Sequence, residues 1–196
     1  MSDFSIRSMR ADEIPLAIDW AAAEGWNPGL DDASCFATVD PDGFLVGEVG
    51  GEPVATISCV NYDAHFSFLG FYIVRPDLRG KGYGLRIWQA AIDHAGDRVI
   101  GLDGVVAQQH NYEKSGFVRA YPNIRYGGVA VPGKFASADV VDLKKLPLSS
   151  VESFDVFPAP RPGFLRRWIT AEGHVGRAIL RDGELAGWGV IRPCRT

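Results

Sequence analysis

One stretch constrains this chain more than any other: Val74-Arg75-Pro76-Asp77-Leu78-Arg79-Gly80-Lys81-Gly82-Tyr83-Gly84. It follows an apolar run, Ser67 to Val74, that reads as a buried strand. It leads into the clearest helix pattern in the sequence, with Leu85, Trp88, Ile92 and Ala95 at i, i+3, i+7 and i+10 and Gly96 placed to end it. Three alternate glycines let backbone N–H groups converge on one ligand without Cβ obstruction. The helix that starts near Gly82 adds its positive end, and Arg79 and Lys81 add charge. Strand, loop and helix therefore predict an anion site suited to a pyrophosphate. A Walker loop would need Ser or Thr after the lysine, where Gly82 stands. A dinucleotide fingerprint would need G-x-G-x-x-G near a first strand, but Gly80, Gly82 and Gly84 give G-x-G-x-G in mid-domain. Asp103 alone at the distance of a ribose-binding acid adds little. A third pattern, Arg/Gln-x-x-Gly-x-Gly/Ala, is met in full by Arg79, Gly82 and Gly84.

The surroundings read as alternating strands and helices. Ile6 to Arg10 is a short strand. Asp12 is placed to cap a helix with Pro15 in its first turn and Ile14, Ala17, Ile18 and Ala21 on one face, ended by Gly25. Leu30 to Val39 follows as a second helix. Phe44 to Val49 and Pro53 to Val60 flank Gly50-Gly51, a hairpin signature. Gly70 inside the next apolar run marks a bulge or a close backbone approach. Arg98 to Leu102 is a strand, Gln108 to Ser115 a short helix, and Phe117 onward, Tyr121 to Tyr126 and Val140 to Leu143 read as extended. Hydrophobic residues make up 46% of the 196, enough for a packed core, which sets disorder aside. The net charge of −4 disfavours a nucleic-acid partner, which needs a basic face. No run approaches the roughly 20 apolar residues of a membrane span, and the N-terminus lacks the apolar segment of a signal peptide. Cys35, Cys59 and Cys194, odd in number and widely spaced, read as reduced thiols of a cytoplasmic protein rather than a disulfide or metal set.

Val-x-Pro-x-x-Arg-Gly-x-Gly-x-Gly after an apolar strand resembles motif A of the GNAT (GCN5-related N-acetyltransferase) superfamily. Tyr112-Glu113-Lys114-Ser115-Gly116-Phe117 resembles the family's Tyr-Glu-Lys-x-Gly-Phe segment. The element order agrees, and the resemblance covers roughly residues 4 to 130. It implies an α/β fold with a mixed, mostly antiparallel central sheet flanked by helices, whose fourth strand bulges and splays from the fifth to form a cleft for coenzyme A. It implies acetyl-CoA as cosubstrate, with no metal. Backbone groups of Tyr72, Ile73 and Val74 would pair with the pantetheine arm, and the amides of Arg79, Gly80, Lys81, Gly82, Tyr83 and Gly84 would hold the pyrophosphate. A strand amide near Ile73 would polarise the thioester carbonyl. The amine attacks directly, so no protein nucleophile is required.

By the same resemblance Tyr112 is the general acid for the departing thiolate, a task suited to a phenol. Its other roles would be packing the helix or binding pantetheine. Asn111 is placed to bond the cofactor or to lie on the helix surface. The sequence departs from the family in two places. Ser67-Phe68-Leu69-Gly70-Phe71-Tyr72 carries no acid where relatives place a glutamate. Val105 and Gln108 stand where relatives carry Asn and Ala. The base is left open among Glu24, Asp31, Asp103, His65, His110 and a water chain, while His94 reads as a surface residue favoured by its helix dipole. Trp20, Trp26, Phe36, Tyr62, Phe66 and Tyr126 fall in segments that cap the acceptor side in the family. Trp26 is the foremost pocket candidate, because a turn is a poor place to bury an indole for stability alone.

These readings assign residues 1–140 to the acetyltransferase domain, acting on a small primary amine. They assign 145–196 to a segment resembling the start of a second such domain. Pro147, Pro158, Pro160 and Pro162 mark a linker, Gly163 to Thr170 one or two helical turns, and Arg177 to Arg181 and Leu185 to Ile191 a hairpin about Asp182-Gly183. Strand, glycine turn, Glu and strand recur in both hairpins, as a repeat or because hairpins look alike. The tail has no second anion loop. It is open to completing the first sheet, capping it, or mediating a homodimer, and the chain to being part of a longer tandem protein. Rival readings of the whole are a non-catalytic acyl-CoA-binding or sensor module and a nucleotide-binding protein.

Overall fold

Two glycine-rich turns set the hairpins. Gly50 and Gly51 have φ of 60° and 84°, and Asp182 and Gly183 have 52° and 83°, the left-handed pair that joins two twisted strands tightly. In the computed structural model, which describes residues 4–129, 140–155 and 159–195, the first turn joins β2 (Phe44–Val49) to β3 (Glu52–Asn61). With β1 (Phe4–Ser8), β4 (Phe66–Val74) and β5 (Val99–Leu102) they form one sheet in the order β1-β2-β3-β4-β5. The first four strands are antiparallel, and β5 runs parallel to β4 after the crossover helix α3 (Tyr83–Ala95). The sheet is therefore mixed and mostly antiparallel, as expected.

Helices cover both faces. On one, α1 (Ile14–Ala23) buries Ile14, Ala17, Ile18 and Ala21, the face read from the sequence, and α2 (Asp32–Val39) adds Ala33. Phe44, Val46 and Val60 meet Ile14, Ala17, Ile18 and Ala33 in one core cluster. Glu13 rather than Asp12 precedes α1. Its carboxylate accepts the Arg10 N–H and is forked by Arg7. On the other face α3 buries Ile87, Trp88, Ala91 and Ala95 against Leu45, Ile57 and Leu69. This stripe is rotated from the expected one. Leu85 is 72% exposed, because the first turn of α3 opens onto a cleft instead of the sheet. His94 is not a surface residue. Its Nε2 lies 2.8 Å from Asp40 Oδ2, and Asn61 Nδ2 donates to its carbonyl at 3.2 Å.

The short helix α4 (Gln109–Lys114) follows β5. Residues 117–129 then form no regular strand. Pro122, Gly127 and Gly128 interrupt them, and side-chain contacts hold the segment: Asn123 donates to Asp103 Oδ1 at 2.6 Å, and Arg125 donates to the Trp26 carbonyl.

The tail builds its own sheet, β6 (Val140–Asp142), β7 (Val175–Arg181) and β8 (Glu184–Ile191), antiparallel in the order β6-β7-β8. It therefore does not complete the first sheet. β6 belongs to this unit, which reaches back to residue 140. The proline-marked linker contains the helix α5 (Leu148–Phe154), and Pro158 lies outside the described residues. The helix α6 (Pro162–Thr170) buries Phe164, Leu165 and Ile169. Cys35 of α2 lies in the same cluster, and Phe36 stacks on Phe164 with ring centroids 4.8 Å apart. Thus α2 serves two cores. The tail caps the first unit.

Candidate active site

The site begins with a break in the sheet. β4 and β5 pair from Phe66↔Val99 to Leu69↔Leu102 and no further, so β4 continues from Gly70 to Val74 without β5 beside it. At the same point β4 bulges. Ser58 faces Gly70 and Thr56 faces Ile73, so β4 spends one more residue than β3. The expected glycine is beside the bulge, but the strained residue is Phe71, with φ of 47°. The Thr56 hydroxyl donates to the Phe71 carbonyl at 3.0 Å, and the Phe71 ring packs on Phe44. The divergence opens a cleft of about 880 Å³.

At one end lies the glycine loop. Gly80 and Gly82 have φ of 77° and 86°, and a Cβ on either would meet only open space. Gly82 caps α3, leaving the N–H groups of Tyr83, Gly84 and Leu85 without helical partners. Gly84 is glycine for another reason: a Cβ there would lie 2.8 Å from the Tyr72 hydroxyl. Arg79 donates to the Val74 carbonyl at 2.9 Å and pairs with Glu24. Lys81 is exposed and off the cleft wall. An open, amide-rich loop at a helix N-terminus beside a free strand edge fits a pyrophosphate and an extended arm.

Tyr72, Ile73, Val74 and Tyr112 line the cleft together. The Tyr112 ring stacks on Trp88 with centroids 5.7 Å apart, and Trp88 also packs on Tyr72. Burial pushes the Tyr112 phenol above its ordinary value, and burial and Tyr112 do the same to Tyr72, so both keep their protons at neutral pH. Asn111 turns away: it donates to Gln108 Oε1 at 2.6 Å and is absent from the wall, which Gln108 reaches instead. Of the candidate bases, Glu24 and Asp103 line the cleft, and Asp31, His65 and His110 do not.

Trp26 also stands on the wall, with Phe36 and Tyr62, whereas Trp20, Phe66 and Tyr126 do not. Sequence reasoning missed how this part of the wall is held. Arg192 donates from Nε and Nη2 to Asp32 at 2.5 and 2.6 Å, the Leu30 N–H donates to the Pro193 carbonyl at 3.0 Å, and Gly29 bridges to Cys194. The residues after β8 thereby pin the 27–32 turn that carries the wall. Their separation of 160 residues left no local signal. Burial raises the Asp32 carboxyl, but the hydrogen bonds and charge of Arg192 and the Gly29 N–H bring it below the usual carboxylate range.

Burial raises the Cys35 and Cys59 thiols to about 11 and about 12, so neither is a ready nucleophile. Among the described residues no helix is long and apolar enough to cross a membrane, and no group of three His, Cys, Asp or Glu side chains is placed to hold a metal.

Comparison with known proteins agrees with this geometry. The chain is 38% identical over 184 residues to holothin acyltransferase of Pseudoalteromonas sp. The match takes in 92% of this chain and 63% of that protein, so the chain spans less than two thirds of its relative. It is 41% identical over 81 residues to the acetyltransferase plu1384 of Photorhabdus laumondii, covering 39% of this chain and 56% of that one. A Pyrococcus horikoshii structure described as an acetyltransferase shares the fold, with a TM-score of 0.71 at 20% identity over 96% of this chain and 68% of that one. The profile of the acetyltransferase (GNAT) family matches residues 8–117, more than half of the chain, and the chain belongs to that family.

Proposed function

We propose that this chain transfers an acetyl group from acetyl-CoA to a small primary amine, by direct attack of the amine on the thioester. The observation that carries the reading is the coincidence of the β4 bulge, the end of the β4–β5 pairing at Leu69↔Leu102 and the glycine-opened N-terminus of α3 on one cleft. In this reading the 79–84 amides hold the pyrophosphate and the free edge of β4 at Tyr72 to Val74 orients the pantetheine arm. An amide near Ile73 stabilises the developing oxyanion. Tyr112, kept protonated by burial, gives its proton to the leaving sulfur.

The tail repeats the beginning of the first unit. Strand, two helices and two strands recur as β6, α5, α6, β7 and β8, with the antiparallel order of β1, β2 and β3. The reading makes it the start of a second GNAT-like domain whose last residues complete the acceptor wall of the first. The similarity to holothin acyltransferase makes holothin the first acceptor to assay. The test is thiol release from acetyl-CoA over a panel of holothin, amino acids, polyamines, aminoglycosides and aromatic amines. Acceptor-dependent release supports transfer. Saturable acetyl-CoA binding with no release to any acceptor would assign a binding module instead.

A further inference from the structure

The β4–β5 pairing ends at Leu69↔Leu102, so Gly70 and Asp103 are the first residues past it on the two diverging chains. Both line the cleft, as do Phe71 and Ile73 of the bulge. The residue after Asp103 is Gly104, where a Cβ would lie 2.8 Å from the Tyr112 ring. Asp103 therefore stands at the apex of the splay, one residue from the backbone against which the Tyr112 ring rests. It is exposed, and Asn123 Nδ2 donates to its Oδ1 at 2.6 Å.

Three carboxylates line the cleft among the described residues, and two are paired with guanidinium groups. Glu24 pairs with Arg79, which also donates to the Val74 carbonyl. Asp32 is held by both arms of Arg192, by the Gly29 N–H and by the Trp168 side chain. A guanidinium beside a carboxylate weakens it as a proton acceptor. Asp103 has a neutral amide as its partner and, among the described residues, no ion pair. The other titratable groups on the wall are arginines and tyrosines, residue types that hold their protons at neutral pH, and no His, Lys or Cys lines it among the described residues.

We infer that Asp103 is the general base of the reaction, held in place by Asn123. The inference rests on the acyl-transfer reading above and supplies the proton acceptor that β4 lacks. The lone pair of the neutral amine forms the C–N bond at the thioester carbonyl carbon, and the nitrogen of the adduct becomes positively charged and acidic. Asp103 takes one proton from that nitrogen. The C–S bond breaks with its electron pair on sulfur, and Tyr112 gives the sulfur its proton. Asp103, being exposed, releases its proton to solvent, and Tyr112 recovers one from solvent. The products are the amide and the free thiol. Base and acid thus come from one short stretch of chain, the end of β5 and α4, facing the bulge across the splay.

The test is single-turnover acetylation with saturating acetyl-CoA and whichever acceptor of the panel above releases thiol fastest with the wild type. Asp103→Asn keeps the shape and the Asn123 contact and removes only the basic oxygen, so the rate should fall by about 10²–10⁴-fold with the acetyl-CoA Kd unchanged. Glu24→Gln, the rival base, should stay within about tenfold of the wild type. Asp103→Ala leaves room for a small carboxylate, so added formate should speed it, and should not speed Tyr112→Phe. An Asp103→Asn variant that acetylates at the wild-type rate, or an Asp103→Ala variant that formate leaves slow, would overturn the inference and leave acyl transfer standing. Acetyl-CoA binding by the wild type without transfer to any acceptor of the panel would overturn both.

Discussion

Removing the guanidinium of Arg192 should loosen the acceptor wall while sparing the cofactor end. Arg192→Ala deletes two charge-assisted hydrogen bonds to Asp32, of 2.5 and 2.6 Å. Bonds to charged groups are worth about 1.5–3 kcal/mol each when well buried. Here the Arg192 and Asp32 side chains are 30% and 14% exposed, and Asp32 keeps the Gly29 N–H at 2.9 Å and a hydrogen bond from the Trp168 side chain, so solvent and the remaining donors offset part of the loss. A net loss of about 2 kcal/mol follows, which lowers Tm by roughly 4–8 °C for a chain of this size. The Asp32 carboxyl lies below its unfolded value. Its stabilisation is therefore complete above the unfolded pKa, about 4, and disappears as pH falls through the lower folded pKa. Wild type and variant should differ at neutral pH and converge in acid. In kinetics the acceptor KM should rise about tenfold, about 1.4 kcal/mol, with the acetyl-CoA Kd unchanged. A Tm within about 1 °C of wild type, together with an unaltered acceptor KM, would refute the reasoning.

Three further predictions follow from the same geometry. Tyr112→Phe keeps the ring on Trp88 and removes only the proton donor, so single-turnover acetylation should slow by about 10²–10⁴-fold at unchanged acetyl-CoA affinity; a wild-type rate would reduce Tyr112 to a packing role. Gly104→Ala places a Cβ 2.8 Å from the Tyr112 ring, so the ring must move; kcat should fall with little change in acetyl-CoA Kd, and unchanged kcat would show that the ring position is immaterial. Deleting residues 140–196 uncovers Cys35 and the face of Phe36 that stacks on Phe164, so Tm and solubility should drop, and a monodisperse product with the wild-type Tm would contradict the shared core.

The parts of the fold legible in the sequence are those with a local cause. The Gly50-Gly51 and Asp182-Gly183 turns, the buried face of α1 and the glycine turn that starts α3 each depend on residues within a few positions, and each appears where the pattern puts it. The bulge was signalled by Gly70, but its positive φ falls on Phe71, which is held there by Thr56 from another strand. His94 carries helix-end chemistry in the sequence, yet Asp40 and Asn61 from distant segments draw it inward. The apolar alternation after Phe117 looks like strand, but contacts to Asp103 and Trp26 hold that segment instead. Likewise β6 joins the second sheet because its partner, β7, lies more than thirty residues on. The sequence motifs single out the loop glycines and Tyr112, and all of Gly80, Gly82, Gly84 and Tyr112 line one cleft. The hold of Arg192 on Asp32 could not be read there, since it depends on the tail folding back as a cap.

The central claim is that the α3 loop binds the pyrophosphate of acetyl-CoA. Calorimetric titration of acetyl-CoA into the wild-type chain and into Gly82→Asp tests it most directly. A side chain at Gly82, where φ is 86°, projects into the open space beside the loop amides, and a carboxylate there repels the phosphates. The wild type should bind one acetyl-CoA per chain and the variant none, with the variant still folded by circular dichroism. A folded variant that binds acetyl-CoA with wild-type affinity would contradict the account.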